Sequence, residues 1–126
     1  MNDEKNLKAR TKAYALRIVR MFTQLPKTAE AQVMGRQVLR SGTSVGANYR
    51  EAFRSRTDAE FVAKIGECLK ELDETEYWLE LLVESDIVPA AKMTELLDET
   101  NQLLAIFTTI SKSKKQKMAR NRKGKG

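Results

Sequence analysis

The chain of 126 residues predicts an all-α fold, an antiparallel up-down-up-down four-helix bundle with a disordered or frayed basic C-terminal tail. Three observations carry that expectation. Apolar residues recur at three- and four-residue spacing through four successive segments. The two prolines, Pro26 and Pro89, both fall between those segments, where they interrupt no helix. No stretch shows the strict polar–apolar alternation of a half-buried strand.

The first helix is expected over residues 3–24, with Leu7, Tyr14, Ile18, Met21 or Phe22, and Leu25 on one face. Pro26 ends it, because the residue before a proline is pushed out of the helical region. Thr28 is a fitting N-cap for a second helix running to about Arg54. Its inward positions alternate by four and three: Met34, Val38, Ser41, Val45, Asn48 and Ala52. Gly42, Gly46 and Ala47 would let a neighbouring backbone approach, at roughly 1 kcal/mol of helix propensity per glycine. A phosphate-binding loop is excluded here, since SGTSVGA lacks the Gly-Lys-Ser/Thr ending.

Thr57-Asp58-Ala59-Glu60 is a capping box for the third helix, expected over 58–85. Phe61, Ile65, Cys68, Leu72, Thr75, Leu79 and Leu82 form its seam. Val62, Leu69, Tyr77, Trp78 and Val83 make a second apolar stripe, either a wide core face or a contact for a neighbouring subunit. Pro89 suits the first turn of a fourth helix that buries Met93, Leu96 or Leu97, Thr100, Leu103 or Leu104, Phe107 and Ile110. Short connections between helices of similar length favour antiparallel neighbours. After Ser111 the periodicity lapses, so residues 1–111 are expected to form the bundle and residues 112–126 a basic tail.

Charge is sorted along the chain. Residues 1–57 carry 12 Lys/Arg against 4 Asp/Glu, residues 58–111 carry 3 against 13, and residues 112–126 carry 8 basic residues and no acid. The net charge of +6 is therefore a property of the tail. Lys112, Lys114, Lys115, Lys117, Arg120, Arg122, Lys123 and Lys125 are the expected nucleic-acid contacts, through counterion release at phosphates. Lys8, Arg10, Lys12, Arg17 and Arg20 of the first helix add to that field, with Arg10, Arg17 and Arg20 the named contacts. No aromatic residue interleaves the tail, so base stacking is not expected. A solubilising tail, or one that docks on the acidic half, is the alternative.

The chain contains no histidine. This removes Ser-His and Cys-His nucleophiles and the Glu-x-x-His pattern of di-iron bundles. No catalytic residue, cofactor or metal ligand is expected, and the protein is read as a non-enzyme. The acidic run Glu67, Glu71, Asp73, Glu74, Glu76, Glu80 and Glu84 is read as a solvated or partner-facing surface. Cys68, the single cysteine, lies on an apolar seam and is expected to be an inert core residue in a reducing cytoplasm. The charged opening MNDEKNLKAR gives no secretory signal, and no window has the length and apolarity of a membrane span.

Ser44-Val45-Gly46-Ala47-Asn48-Tyr49-Arg50-Glu51-Ala52 resembles the signature of one family, the bacterial four-helix bundle proteins linked to intervening sequences of 23S ribosomal RNA genes. Ser44, Val45, Asn48 and Glu51 match, while Tyr49 and Ala52 stand where a small aliphatic residue and a glycine are usual. Glu60-Phe61, Cys68-Leu69-Lys70-Glu71 and Tyr77-Trp78-Leu79-Glu80-Leu81-Leu82 extend the resemblance, which covers about residues 7–111. It implies a left-handed four-helix bundle and a homo-oligomer, with the pentameric barrel of some relatives as one candidate. Accessory proteins of diversity-generating retroelements are related, and those bind nucleic acid.

Ser44, Asn48 and Glu51, together with Ser41, are expected to form a small buried polar motif with a structural role, fixing helix register. The functional expectation is a cytoplasmic, homo-oligomeric bundle that binds RNA or DNA through charge. The alternative is an adaptor whose acidic third helix contacts a protein partner.

Overall fold

The computed structural model describes the backbone of residues 2–125 and the side chains of residues 6–124. It contains α1 (Asn2–Thr23), α2 (Ala29–Ala52), α3 (Asp58–Glu84) and α4 (Ala90–Lys125), with no strand among the described residues. Each start is set by local chemistry. Thr28 Oγ1 accepts from the Ala31 amide at 3.3 Å, and Gln32 Nε2 donates to the Pro26 carbonyl, which ties down the entry to α2. Thr57 Oγ1 accepts from the Glu60 amide at 3.1 Å. The returning Glu60 carboxylate takes the amide of Arg56 at 2.8 Å, one residue earlier than in a standard capping box.

α3 ends in a Schellman turn. The Ile87 amide donates to Leu82 and the Asp86 amide to Val83. The left-handed position is held by Asp86, at φ 62°, where a glycine is the usual occupant.

Successive helices pair in opposite senses. Thr11 lies against Gly46 and Ile18 against Gly42 between α1 and α2. Ser41 meets Thr75, and Glu51 meets Lys64, between α2 and α3. Asp58 meets Lys114 between α3 and α4, and Arg10 meets Glu99 between α1 and α4. The result is the expected four-helix bundle.

Its core is the predicted one over most of its length. Leu7, Tyr14, Ile18, Val38, Val45, Ile65, Cys68, Leu72, Leu79, Leu82, Met93, Leu103 and Phe107 are all buried. Burying each large aliphatic or aromatic side chain contributes roughly 1.5–3 kcal/mol. Two hydroxyl pairs cross this core, Tyr14 with Thr100 at 2.6 Å and Ser41 with Thr75 at 2.7 Å, and no buried side-chain polar atom is left without a partner among the described residues.

α2 departs from expectation. Met34 and Asn48 are only half-buried, and Gly35, Gly42, Gly46 and Tyr49 take inward places instead. The reason is that α2 packs against both α1 and α3, so its buried face is wider than one seam. Gly42 needs to be glycine because an added Cβ would stand 2.8 Å from Ile18 Cγ1, inside a side chain that is itself fully buried.

The tail takes the helical course of the two that were expected. α4 runs for 36 residues, unbroken to Lys125. Lys, Arg, Gln, Met and Ala are good helix formers, and their cations complement the negative end of the helix dipole.

Candidate nucleic-acid interface

α4 outgrows the bundle. At ~1.5 Å per residue its 36 residues span about 54 Å, against about 40 Å for the 27 residues of α3. Lys114 marks the point where it leaves. Its ammonium sits 3.3 Å from Asp58 at the start of α3 and 5.1 Å from the centre of the Phe61 ring. Residues 115–125 then project about 16 Å past that end.

The predicted tail cations therefore divide. Lys114 is a docking residue, engaged with α3. Lys112, Lys115, Lys117, Arg120, Arg122 and Lys123 are exposed and have no carboxylate partner among the described residues. The side chain of Lys125 lies outside the described residues. The exposed cations sit around the circumference of the helix rather than along one stripe, so they present positive charge in most directions.

The α1 cations divide too. Arg10 Nε donates to Glu99 Oε2 at 2.7 Å, and its Nη2 donates to Glu99 Oε1 and Gln102 Oε1 at 2.8 and 2.7 Å. The hydrogen bonds it donates to the Glu99 carboxylate raise the Arg10 pKa above its ordinary value. Arg10 thus clamps α1 to α4 beside a groove of about 670 Å³ lined by Leu7, Tyr49, Phe61, Ile106 and Ile110. It is not presented to a phosphate. Arg20 is exposed and Arg17 half-exposed, and neither forms an ion pair among the described residues. Lys8 lies over the Phe53 ring at 4.7 Å.

The buried polar motif does not form as expected. Ser44 Oγ donates to the Arg40 carbonyl of its own helix at 2.6 Å. Glu51 is exposed and paired with Lys64 at 2.6 Å, an interaction that lowers the carboxyl pKa and raises that of the ammonium. Asn48 lies half-buried between them. The physical cause is the turn of α2 that brings Tyr49 inward, which carries Asn48 and Glu51 toward α3 and solvent. The polar contacts inside the core come from Ser41 with Thr75 and Tyr14 with Thr100. All four of these residues were expected inward, with Ser41 also expected in the polar motif, but their cross-helix pairing depends on register.

α3 is acidic outward. Glu71 and Glu74 pair with Arg40 of α2, and Glu74 also accepts from the Trp78 indole at 3.3 Å. Asp73, Glu76, Glu80 and Glu84 have no cation among the described residues. Glu76 has a raised pKa, first from partial desolvation and then from Glu80 and Asp73. Among them stands Tyr77, 57% exposed, with its ring edge-on to Trp78. Leu69, Trp78 and Val83 of the second stripe pack against the core, so most of that stripe is a wide core face and Tyr77 is its outward remnant. Among the described residues no three carboxylates or thiols converge on a metal-sized site. Cys68 is buried, and desolvation pushes its thiol up to about 12.

Arg50 was missed by the sequence analysis. It lies across an outer groove from Lys12, on a different helix, and spacing along one helix cannot show which residues of another stand opposite.

Three comparisons bear on the whole chain. No curated protein matches it. A solved structure of a protein of unknown function from the S23 ribosomal protein family of Bacteroides thetaiotaomicron superposes with a TM-score of 0.79. It is 36% identical, and the alignment covers 83% of this chain and 97% of that one. The model of the family described as 23S rRNA-intervening sequence protein matches residues 5–109, which takes in parts of all four helices and stops before the α4 extension begins. With four helices, the signature in α2 and that match over most of its length, the chain belongs to the 23S rRNA-intervening sequence protein family.

Proposed function

We propose that this protein is a non-enzymatic, homo-oligomeric helical bundle that binds nucleic acid electrostatically in the cytoplasm. The observation that carries the reading is the α4 extension, which leads five exposed cations (Lys115, Lys117, Arg120, Arg122 and Lys123) off the end of the bundle, with the exposed Lys112 just before it and no carboxylate paired with any of the six among the described residues. A helix bearing several unpaired cations gains affinity for any polyanion by releasing its counterions, and no base-specific contact is required. Assembly into an oligomer would bring several extensions to bear on one strand and multiply the effect. The chain's lack of histidine and the inert environment of Cys68 support a role without nucleophilic chemistry.

The test keeps the full chain and exchanges those six cations for glutamine. Fluorescence anisotropy with a labelled RNA hairpin and a labelled DNA duplex then compares the variant with the wild type. The reading expects a large loss of affinity for both and a shallower dependence on salt. Equal binding by the two proteins contradicts it.

A second reading has one specific observation in its favour, the unpaired Asp73, Glu76 and Glu80 around the exposed Tyr77. Such a surface fits a basic protein partner, drawn by charge and anchored by an aromatic ring. Glu74, held by Arg40 and Trp78, is not available to it. A complex that survives Glu76→Lys with Glu80→Lys would remove this alternative.

A further inference from the structure

α1 and α2 enclose a shallow groove on the outside of the bundle, about 280 Å³ in volume. Lys12 stands on one bank and Arg50 on the other, with Thr11, Ala15, Thr43, Gly46 and Ala47 between them. Among the described residues no carboxylate lines it. Neither Lys12 nor Arg50 has an ion-pair partner among the described residues, in contrast to Arg10, Arg40, Lys64 and Lys114. The small floor follows from close helix packing, since a Cβ on Gly46 would meet Thr11 Oγ1 at 3.1 Å. Two cations from different helices thus face a space that no side chain fills.

The position of the groove matters as much as its charge. Arg50 lies in the last turn of α2. Phe53, which caps the C-terminal end of α2, packs edge-on against Phe61 at 6.3 Å, the ring that Lys114 covers, which places this end of α2 near the point from which the α4 extension departs. The cationic groove and the cationic extension therefore share one end of the bundle. Small residues between two cations let a backbone come close while each cation reaches a separate phosphate.

We infer that the Lys12–Arg50 groove is a second phosphate-contacting surface, which seats the sugar-phosphate backbone of the nucleic acid that the α4 extension captures. The inference rests on the nucleic-acid reading above, and it assigns the contact to the α1–α2 side of the bundle rather than to Arg10, which is bound to Glu99.

The experiment uses the full chain and a labelled DNA duplex over a range of salt concentrations. Lys12→Gln with Arg50→Gln is expected to lower the slope of log K against log salt by about 2, at roughly 0.9 per phosphate contact, and to weaken binding on the order of tenfold or more near 0.1 M salt. A control, Lys70→Gln with Lys92→Gln, removes the same charge from α3 and α4 and is expected to change affinity by less than about threefold, since screening cuts off distant charges. Ala47→Gln narrows the groove without altering charge, and because Ala47 is exposed it leaves the melting temperature unchanged while weakening binding. If the groove pair behaves like the control pair, the groove inference falls and the nucleic-acid reading stands. If the wild type fails to bind at low salt, the reading beneath it falls as well.

Discussion

The outward face of α1 and α2 and the outward face of α3 both carry charge left over after the seams are satisfied, but of opposite sign. On the first, Lys12, Arg36 and Arg50 face solvent without a carboxylate partner among the described residues. On the second, Asp73, Glu76, Glu80 and Glu84 lack a cation. Between the faces, Arg40–Glu74 and Lys64–Glu51 tie α2 to α3, and Arg10–Glu99 ties α1 to α4. Complementary charge is consumed at seams and excess charge is turned outward. The difference teaches that a net charge of +6 describes neither face, and that of the two faces only that of α1 and α2 favours a polyanion.

The strongest way to break the comparison is to remove the cations that have no opposing charge. Replacing the six exposed cations in the C-terminal part of α4 by glutamine is expected to lower nucleic-acid affinity by about 10³-fold or more near 0.1 M salt, read by anisotropy. Gly42→Ala attacks the packing beneath the basic face. Its Cβ meets the buried Ile18, and the expected cost is about 1–3 kcal/mol, measured by urea unfolding. The same substitution at the exposed Gly66, where nothing lies within 4 Å, should instead raise stability by up to about 1 kcal/mol.

Glu76→Gln sharpens the comparison from the acidic side. The folded protein holds this carboxyl above its unfolded value, so the ionised form is disfavoured by folding at neutral pH and the penalty vanishes once both states are protonated. The variant should melt higher at neutral pH, and the gain should disappear as the pH drops below the carboxylate range. The smallest effect is expected at Cys68. Its thiol, pushed up to about 12 by burial, should resist alkylation at mildly alkaline pH in the folded protein and react at once in denaturant.

Much of the fold was legible because it depends on spacing within single helices. Ile65, Cys68, Leu72, Thr75, Leu79 and Leu82 are buried as their periodicity predicted, and Thr28 and Thr57 cap where their side chains allow. What the pattern missed depends on two neighbours at once. Asn48 followed a single-seam rhythm, but α2 serves two partners, and Tyr49 and the glycines are turned inward. Ser44 and Glu51 lie on the signature and still go separate ways, one to its own backbone and one to Lys64.

The same limit applies to the candidate interface. The exposed cations of the extension could be named from sequence, because the last fifteen residues carry no acid. Arg10 could not be set apart from Arg17 and Arg20, since only the α1–α4 register places Glu99 beside it. Arg50 was invisible for the converse reason, as its significance comes from facing Lys12 on another helix. The loss of apolar periodicity after Ser111 led to the expectation of a separate tail, and helix propensity carries α4 onward through it to Lys125.

The most direct test is a titration of the wild-type chain against a labelled RNA hairpin and a labelled DNA duplex, repeated at several salt concentrations. The account predicts binding to both, with log K falling linearly and steeply as log salt rises. Absence of binding to either at low salt would contradict it and leave the acidic face of α3, with Tyr77 at its centre, as the surface that carries the protein's function.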